Sequence, residues 1–169
     1  MSVVSWNAQQ LGMDAEAWIE ALSSLDRALA WDVLCVQEAG AFSETVAEVY
    51  TGHLALRFAA VEGGFSLAIV VRDSLRPTLQ NWVSVARRHV WADFVVNGAV
   101  LRVLNSHLPH SGYSDEEWQQ HLEEGAALAE GHSRDDKGIE WALDANAGLY
   151  PHVGALREAW LAHGLVLAG

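Results

Sequence analysis

The dipeptide Asn97-Gly98 lies between two apolar runs, Val90–Val96 and Ala99–Leu104. Asn and Gly both tolerate the positive φ angles of a type I′ turn, and this turn matches the twist of two paired strands. The pattern therefore predicts an antiparallel β-hairpin. This hairpin places the middle of the chain in a β-sheet, and the other elements must pack against that sheet.

Helices and further strands are predicted on both sides of this hairpin. A helix is expected over Asp14–Ala30, because its apolar residues recur with a period of about 3.6 and so share one face. Ser114 followed by Glu117 is typical of a capping box, and the helix that it opens is expected to run to about Glu130. Shorter elements are predicted at Val3–Trp6, Val33–Val36, Phe42–Val49 (a helix), Leu54–Val61, Phe65–Val71, Leu79–Val85, Ile139–Leu143, Pro151–Gly164 (a helix) and Leu165–Leu167.

The order of these elements favours an α/β fold with mixed sheets. Hairpins outnumber helical crossovers, which argues against a purely parallel, doubly wound sheet. The chain has 169 residues, the usual length of one domain, so residues 1–169 are predicted to form a single domain. Apolar residues make up 51% of the chain and charged residues 19%, which excludes a disordered protein.

Several of the predicted strands end in a polar residue, namely Asn7, Glu38, His107, and Asp144 with Asn146. Ligand sites in α/β sheets favour the carboxyl ends of strands. A carboxylate with a neutral oxygen donor suits Mg²⁺ or Mn²⁺, while a His can contact a phosphoryl oxygen and an Asp can deprotonate water. These residue types fit metal-assisted hydrolysis of a phosphate ester. Strands also end in polar residues simply where they reach solvent, and spacing alone leaves both interpretations open.

Four segments, in this order, resemble the motifs of the endonuclease/exonuclease/phosphatase superfamily: Ser5-Trp6-Asn7, Asp32–Glu38, Asn105–Pro109 and Leu143–Asn146. The apolar run that ends in Gln37-Glu38 is the most specific of them. Asn105–Asp115 is most similar to retroelement-type endonuclease domains. The resemblance covers essentially the whole chain. It implies a four-layer sandwich, in which two mixed β-sheets pack face to face and are flanked by helices.

The resemblance also implies roles for the strand-end residues. Glu38 is similar to the glutamate that binds the divalent cation, and Asn7 to the asparagine that supports this metal site. His107 stands where the family has a phosphate-contacting residue. Asp144 resembles the aspartate that positions or activates the attacking water, and Asn146 resembles the asparagine that holds the phosphate. The implied cofactor is Mg²⁺ or Mn²⁺.

Two features depart from the family pattern. The family usually has Gly-Asp-Phe-Asn where this chain has Leu143–Asn146. The family also continues into a Ser-Asp-His motif, which has no match after Leu165. The resemblance therefore covers the N-terminal two-thirds of a family domain, truncated at the C-terminus. Because the absent motif carries an Asp and the catalytic His, we expect poor hydrolysis of phosphodiesters, and self-association through an exposed sheet edge.

Three functions stay open at this point. The first is a divalent-metal-dependent phosphodiester hydrolase, nuclease-like, with nucleic acid or another phosphate ester as its substrate. The second is an inactive remnant or interaction module with the same fold, and the third is a phosphomonoesterase acting on a small phosphorylated substrate. The net charge of -12 argues against a basic nucleic-acid clamp, so a phosphate substrate would need a cation between itself and the protein.

The sequence also predicts a compartment. A single cysteine, Cys35, excludes an intrachain disulfide and suits a reducing environment. The first residues lack a signal-peptide pattern, and the apolar stretches are too short to cross a membrane. The protein is therefore expected to be cytoplasmic or nuclear, not secreted, and without a membrane partner.

Other residues that can carry chemistry are predicted to have structural roles. Cys35 lies within an apolar run and is expected to be a buried thiol. His107, His110, His121 and His132 match no zinc motif, and we expect them to be solvated or hydrogen-bonded. Arg88 follows Arg87, and two roles are open for the pair: contact with a phosphate backbone and, as the favoured one, protection of a strand edge from pairing with another strand.

Overall fold

The computed structural model describes residues 1–8, 15–39, 53–57, 67–85, 88–107, 114–133 and 138–144. The elements in chain order are β1 (Val3–Asn7), α1 (Ala15–Ala28), β2 (Val33–Gln37), β3 (His53–Arg57), β4 (Ala68–Arg72), a 3₁₀ helix (Asp73–Thr78), β5 (Leu79–Val85), β6 (His89–Val96), β7 (Ala99–His107), α2 (Asp115–Ser133) and β8 (Gly138–Asp144).

The described strands form two four-stranded sheets. The first has the order β1-β2-β4-β3 and the second has the order β5-β6-β7-β8. Both sheets are mixed, since β1 pairs with β2 and β7 with β8 in parallel, while the other neighbours are antiparallel. The predicted class, α/β with two mixed sheets and helices, is confirmed.

Two apolar cores hold these layers together. One lies between the sheets and includes Val33 and Ile69 from the first sheet and Val90 and Phe94 from the second. The other lies between the first sheet and α1, whose Trp18 and Leu22 are both 1% exposed. Because side chains alternate along a strand, β2 serves both cores, and all five of its residues are buried.

The hairpin predicted from Asn97-Gly98 is confirmed. Strands β6 and β7 pair in antiparallel register up to Val96 and Ala99. The two turn residues have φ angles of 53° and 82°, as a type I′ turn requires. The turn is exposed at the far end of the hairpin from His107, so it sets the register that places His107.

Replacement of Gly98 by Ala is expected to lower the free energy of unfolding by about 1 kcal/mol, because an L side chain is disfavoured at its φ of 82°. A Cβ atom at this position would meet no atom within 4 Å. The loss of stability therefore reports the cost of the backbone conformation alone, without a steric clash. Urea unfolding followed by tryptophan fluorescence measures it. An unchanged midpoint would show that the turn conformation contributes nothing to stability.

The capping box predicted at the start of α2 is also confirmed. The Glu117 backbone N–H donates to Ser114 Oγ, and the Ser114 backbone N–H donates to Glu117 Oε2. The backbone N–H and the hydroxyl of Ser114 both donate to the Glu117 carboxylate, and these two hydrogen bonds lower the pKa of Glu117. The helix runs to Ser133, three residues beyond the predicted end. Trp118, Leu122 and Gly125 are buried on one side of it, as the sequence predicts.

Other predicted elements are confirmed in part. The pairing predicted between Leu54–Val61 and Phe65–Val71 appears as antiparallel β3 and β4. The predicted turn at Glu62-Gly63-Gly64 lies outside the described residues, as do the elements predicted at Phe42–Val49, Pro151–Gly164 and Leu165–Leu167. Among the described residues, neither helix combines the length and hydropathy needed to cross a membrane.

Candidate functional site

The carboxyl ends of four strands supply the candidate site. In the first sheet Asn7 is in register with Gln37, so it lies close to Glu38, the next residue in the chain. In the second sheet His107 is in register with Asp144. The backbones of two strand-end residues to which the family resemblance assigns roles, His107 and Asp144, are thus neighbours. Asn146, the third of them in this part of the chain, lies outside the described residues.

Glu38 ends β2 in an unusual backbone conformation. Its φ angle is 51°, in the left-handed region that a residue with a side chain enters at a cost of about 1–2 kcal/mol. This conformation stops the strand immediately after Gln37. Backbone strain of this kind clusters at functional sites.

The Glu38 carboxylate joins the two sheets at this edge. Its Oε1 accepts a hydrogen bond of 3.1 Å from Asn7 Nδ2, and the same oxygen lies 3.6 Å from His107 Nε2. His107 is buried, whereas Glu38 is only partly buried. A carboxylate, an amide and an imidazole therefore lie close together at a partly buried position that solvent can reach through Glu38.

A buried amide network lies directly beneath these groups. Gln37 Nε2 donates to Asn105 Oδ1 at 2.6 Å and to Ser5 Oγ at 3.0 Å. Asn105 Nδ2 donates to the carbonyl oxygens of Val36 and Ala68, both at 3.0 Å. Because Asn105 belongs to β7 and the other four residues belong to the first sheet, this network links the two sheets.

The sequence motifs contain both Gln37 and Asn105, but sequence reasoning assigned neither residue a role. The available signal is the residue type, since each is an amide within an apolar strand. Gln37 is 1% exposed and Asn105 is 0% exposed, and buried amides are retained where they are hydrogen-bonded.

The favoured interpretation of Arg88, protection of an exposed strand edge from pairing, is wrong. Arg88 is 5% exposed, and its Nη1 donates to the backbone carbonyl of His107 at 3.4 Å. The His107 backbone N–H in turn donates to the Arg88 carbonyl at 3.1 Å. Arg88 therefore holds the end of β7, because its guanidinium is enclosed by the fold instead of facing an exposed edge.

The described donors fit a hard divalent cation. Mg²⁺ and Mn²⁺ prefer carboxylate and amide oxygens; Glu38 carries a carboxylate, and the neighbouring Asn7, whose Nδ2 donates to that carboxylate, also carries an amide oxygen. The Asn7 hydrogen bond orients the Glu38 carboxylate from one side. Glu38 is partly exposed, so an ion can approach it from solvent.

Outside this site, two buried side chains among the described residues have strongly shifted pKa values. Burial raises the pKa of the Cys35 thiol, which confirms the expectation of an inert, buried cysteine. Burial also lowers the pKa of His89 to about 4, against a smaller opposing effect of the Glu124 carboxylate. Neither side chain belongs to the Glu38 site.

No protein-family model and no curated protein matches the chain. Solved structures do match. A humanized D. rerio TDP2 is 18% identical with a TM-score of 0.66, over 100% of this chain and 68% of that one. The human nocturnin catalytic domain, with bound sulfate, is 16% identical with a TM-score of 0.68, over 94% and 68%. The endonuclease domain of the non-LTR retrotransposon TRAS1 is 13% identical with a TM-score of 0.61, over 96% and 70%.

These structures share the endonuclease/exonuclease/phosphatase fold, and so does this chain. The fold implied by the sequence motifs is therefore confirmed. The chain spans about two thirds of the length of these three structures.

Proposed function

We propose that this chain is a divalent-metal-dependent phosphodiester hydrolase of the nuclease type. The observation that carries the proposal is the placement of Glu38, whose backbone has a φ angle of 51° and whose Oε1 lies 3.1 Å from Asn7 Nδ2 and 3.6 Å from His107 Nε2. The shared fold supports it, since the matched structures include an endonuclease domain and an AP endonuclease from Leishmania major.

Each residue has a chemical role in this proposal. Glu38 and Asn7 hold the Mg²⁺ or Mn²⁺ ion, which when bound supplies positive charge to the phosphate. His107 donates a hydrogen bond from its imidazole to a phosphoryl oxygen, and the Arg88 contacts keep its backbone in place. Asp144 accepts a proton from the attacking water. Asn146, two positions after the end of β8, holds the phosphate.

The proposed substrate is a nucleic acid. One matched D. rerio TDP2 structure is a complex with a single-strand DNA product. The net charge of -12 means that the protein's own field repels a polyanion, so binding must depend on the metal ion. The same charge favours short or single-stranded substrates, and small phosphate esters, over a long duplex.

The test compares three substrates with Mg²⁺, with Mn²⁺ and with EDTA. These are a fluorogenic single-stranded DNA, bis-(p-nitrophenyl) phosphate and p-nitrophenyl phosphate. We expect slow, metal-dependent cleavage of the two diesters, abolished by EDTA. The rate should be low because the Ser-Asp-His motif that supplies the family's catalytic His has no match in this sequence. Asp144→Ala is expected to lower the rate about 10²–10⁴-fold, the usual contribution of a general base. Asp115→Asn, on the exposed first turn of α2, is the control and should leave the rate unchanged.

The other outcomes identify the alternatives. Cleavage of the monoester alone would replace the proposal with a phosphomonoesterase. Metal binding that depends on Glu38, without turnover of any substrate, would support an inactive module of the same fold. Cleavage that persists in EDTA and in Asp144→Ala would contradict the proposal altogether.

A further inference from the structure

A second cluster of potential metal ligands lies on the other face of the second sheet. It consists of His89 at the start of β6, with His121 and Glu124 on α2. Among the residues that the structure describes, these three have ligand atoms that all lie within 4.8 Å of one another. Side chains alternate along β6, and Val90 faces the core between the sheets, so His89 faces α2. The cluster is therefore separated from Glu38 by the sheet itself.

The His89 ring has one nitrogen without a partner. His89 is 1% exposed, and its Nε2 has no hydrogen-bond partner among the described residues. Its Nδ1 lies 2.8 Å from Ser106 Oγ. Buried polar atoms are nearly always satisfied, so the unpartnered Nε2 is a candidate for binding a ligand.

We propose that His89, His121 and Glu124 bind a zinc ion. Two imidazole nitrogens and one carboxylate oxygen are a zinc donor set, whereas Mg²⁺ prefers oxygen alone. In the tautomer that donates from Nδ1 to Ser106, His89 presents the lone pair of Nε2 to the metal. A hydrogen bond on the second nitrogen is the usual support of a metal-binding His.

The geometry requires only a small adjustment. Zinc bonds of about 2.0–2.1 Å place tetrahedral ligands roughly 3.4 Å apart. His121 and Glu124 lie one turn apart on α2, and their side chains already meet, with His121 Nδ1 3.2 Å from Glu124 Oε2. Both are partly exposed, so they can rotate toward the fixed His89 ring. A water molecule completes four-coordination from the solvent side.

The ion would connect α2 to the second sheet. His121 and Glu124 move with the helix, while His89 is fixed in β6, which pairs with β7. Ser106, the hydrogen-bond partner of His89, directly precedes His107 in β7. Zinc binding therefore stabilises the second sheet, which carries His107 and Asp144. None of the three zinc ligands belongs to the Glu38 site.

The experiment uses the full chain without an affinity tag. Calorimetric titration with Zn²⁺, and visible absorption with Co²⁺ as a spectroscopic substitute, are carried out on wild type and variants. With excess Mg²⁺ present to occupy the proposed Glu38 site, we expect one Zn²⁺ or Co²⁺ ion per chain and the absorption of tetrahedral Co²⁺. Glu124→Gln and His121→Ala should each weaken binding about 100-fold. Their partly exposed positions keep the fold intact, which circular dichroism checks.

The matched controls separate this site from the rest of the protein. Glu123→Gln removes the same charge from the exposed side of the same helix and should leave Zn²⁺ affinity unchanged. Glu38→Gln should do the same, which distinguishes this site from the proposed active site. Zn²⁺ should also raise the Tm of wild type but not of Glu124→Gln. Absence of Co²⁺ absorption, or equal affinity in Glu124→Gln and Glu123→Gln, would overturn the proposal.

Discussion

Glu38→Gln should weaken Mg²⁺ or Mn²⁺ binding by about 100-fold or more, because it removes the charge that holds a hard cation and keeps the size of the side chain. The fold should survive, since a Gln oxygen can still accept the hydrogen bond that Asn7 Nδ2 donates to Glu38. Isothermal titration with each ion gives the affinity, and circular dichroism verifies the fold.

The control for this variant is Glu20→Gln. Glu20 is exposed on α1, so its replacement changes the net charge equally without touching the site. Equal metal affinity in Glu20→Gln and wild type, with loss in Glu38→Gln, assigns the effect to the site. If Glu38→Gln binds the ion as wild type does, Glu38 is only a polar strand end and the proposed metal centre is wrong.

Asn105→Leu should cost about 3 kcal/mol of unfolding free energy. The substitution keeps the branch at Cγ but replaces the amide with two larger methyl groups. Buried groups that depend on the amide lose a partner, at about 1–3 kcal/mol each, and the added volume in a full core cannot offset that loss. Those groups are Gln37 Nε2 and the carbonyl oxygens of Val36 and Ala68. Denaturation by urea, followed by circular dichroism, measures the difference.

Asn81→Leu is the companion to this measurement. Asn81 is exposed on β5, and the same chemical change there should alter stability by less than about 0.5 kcal/mol. A cost below about 1 kcal/mol for Asn105→Leu would show that the amide network does not hold the two sheets together. It would then be a local feature with no structural consequence for Glu38.

The sequence alone predicted the features that depend on residues close together in the chain. The Asn97-Gly98 turn and the Ser114–Glu117 capping box each involve a few consecutive residues, and both formed as expected. The polar residues at the strand ends were identified in the same way, because an apolar run and the residue that ends it are adjacent. The family resemblance then supplied the fold and assigned roles to those residues.

Only the tertiary structure decided which of these residues meet. Asn105 and Gln37 are 68 positions apart, and Glu38 and His107 come from different sheets, so no local pattern relates them. The same applies to Arg88, whose burial depends on the end of β7, and to His89, which meets His121 and Glu124 only because α2 covers that face. Periodicity indicates that a face is buried, but the partner across it is decided by how sheets and helices pack, and that packing is a property of the whole chain.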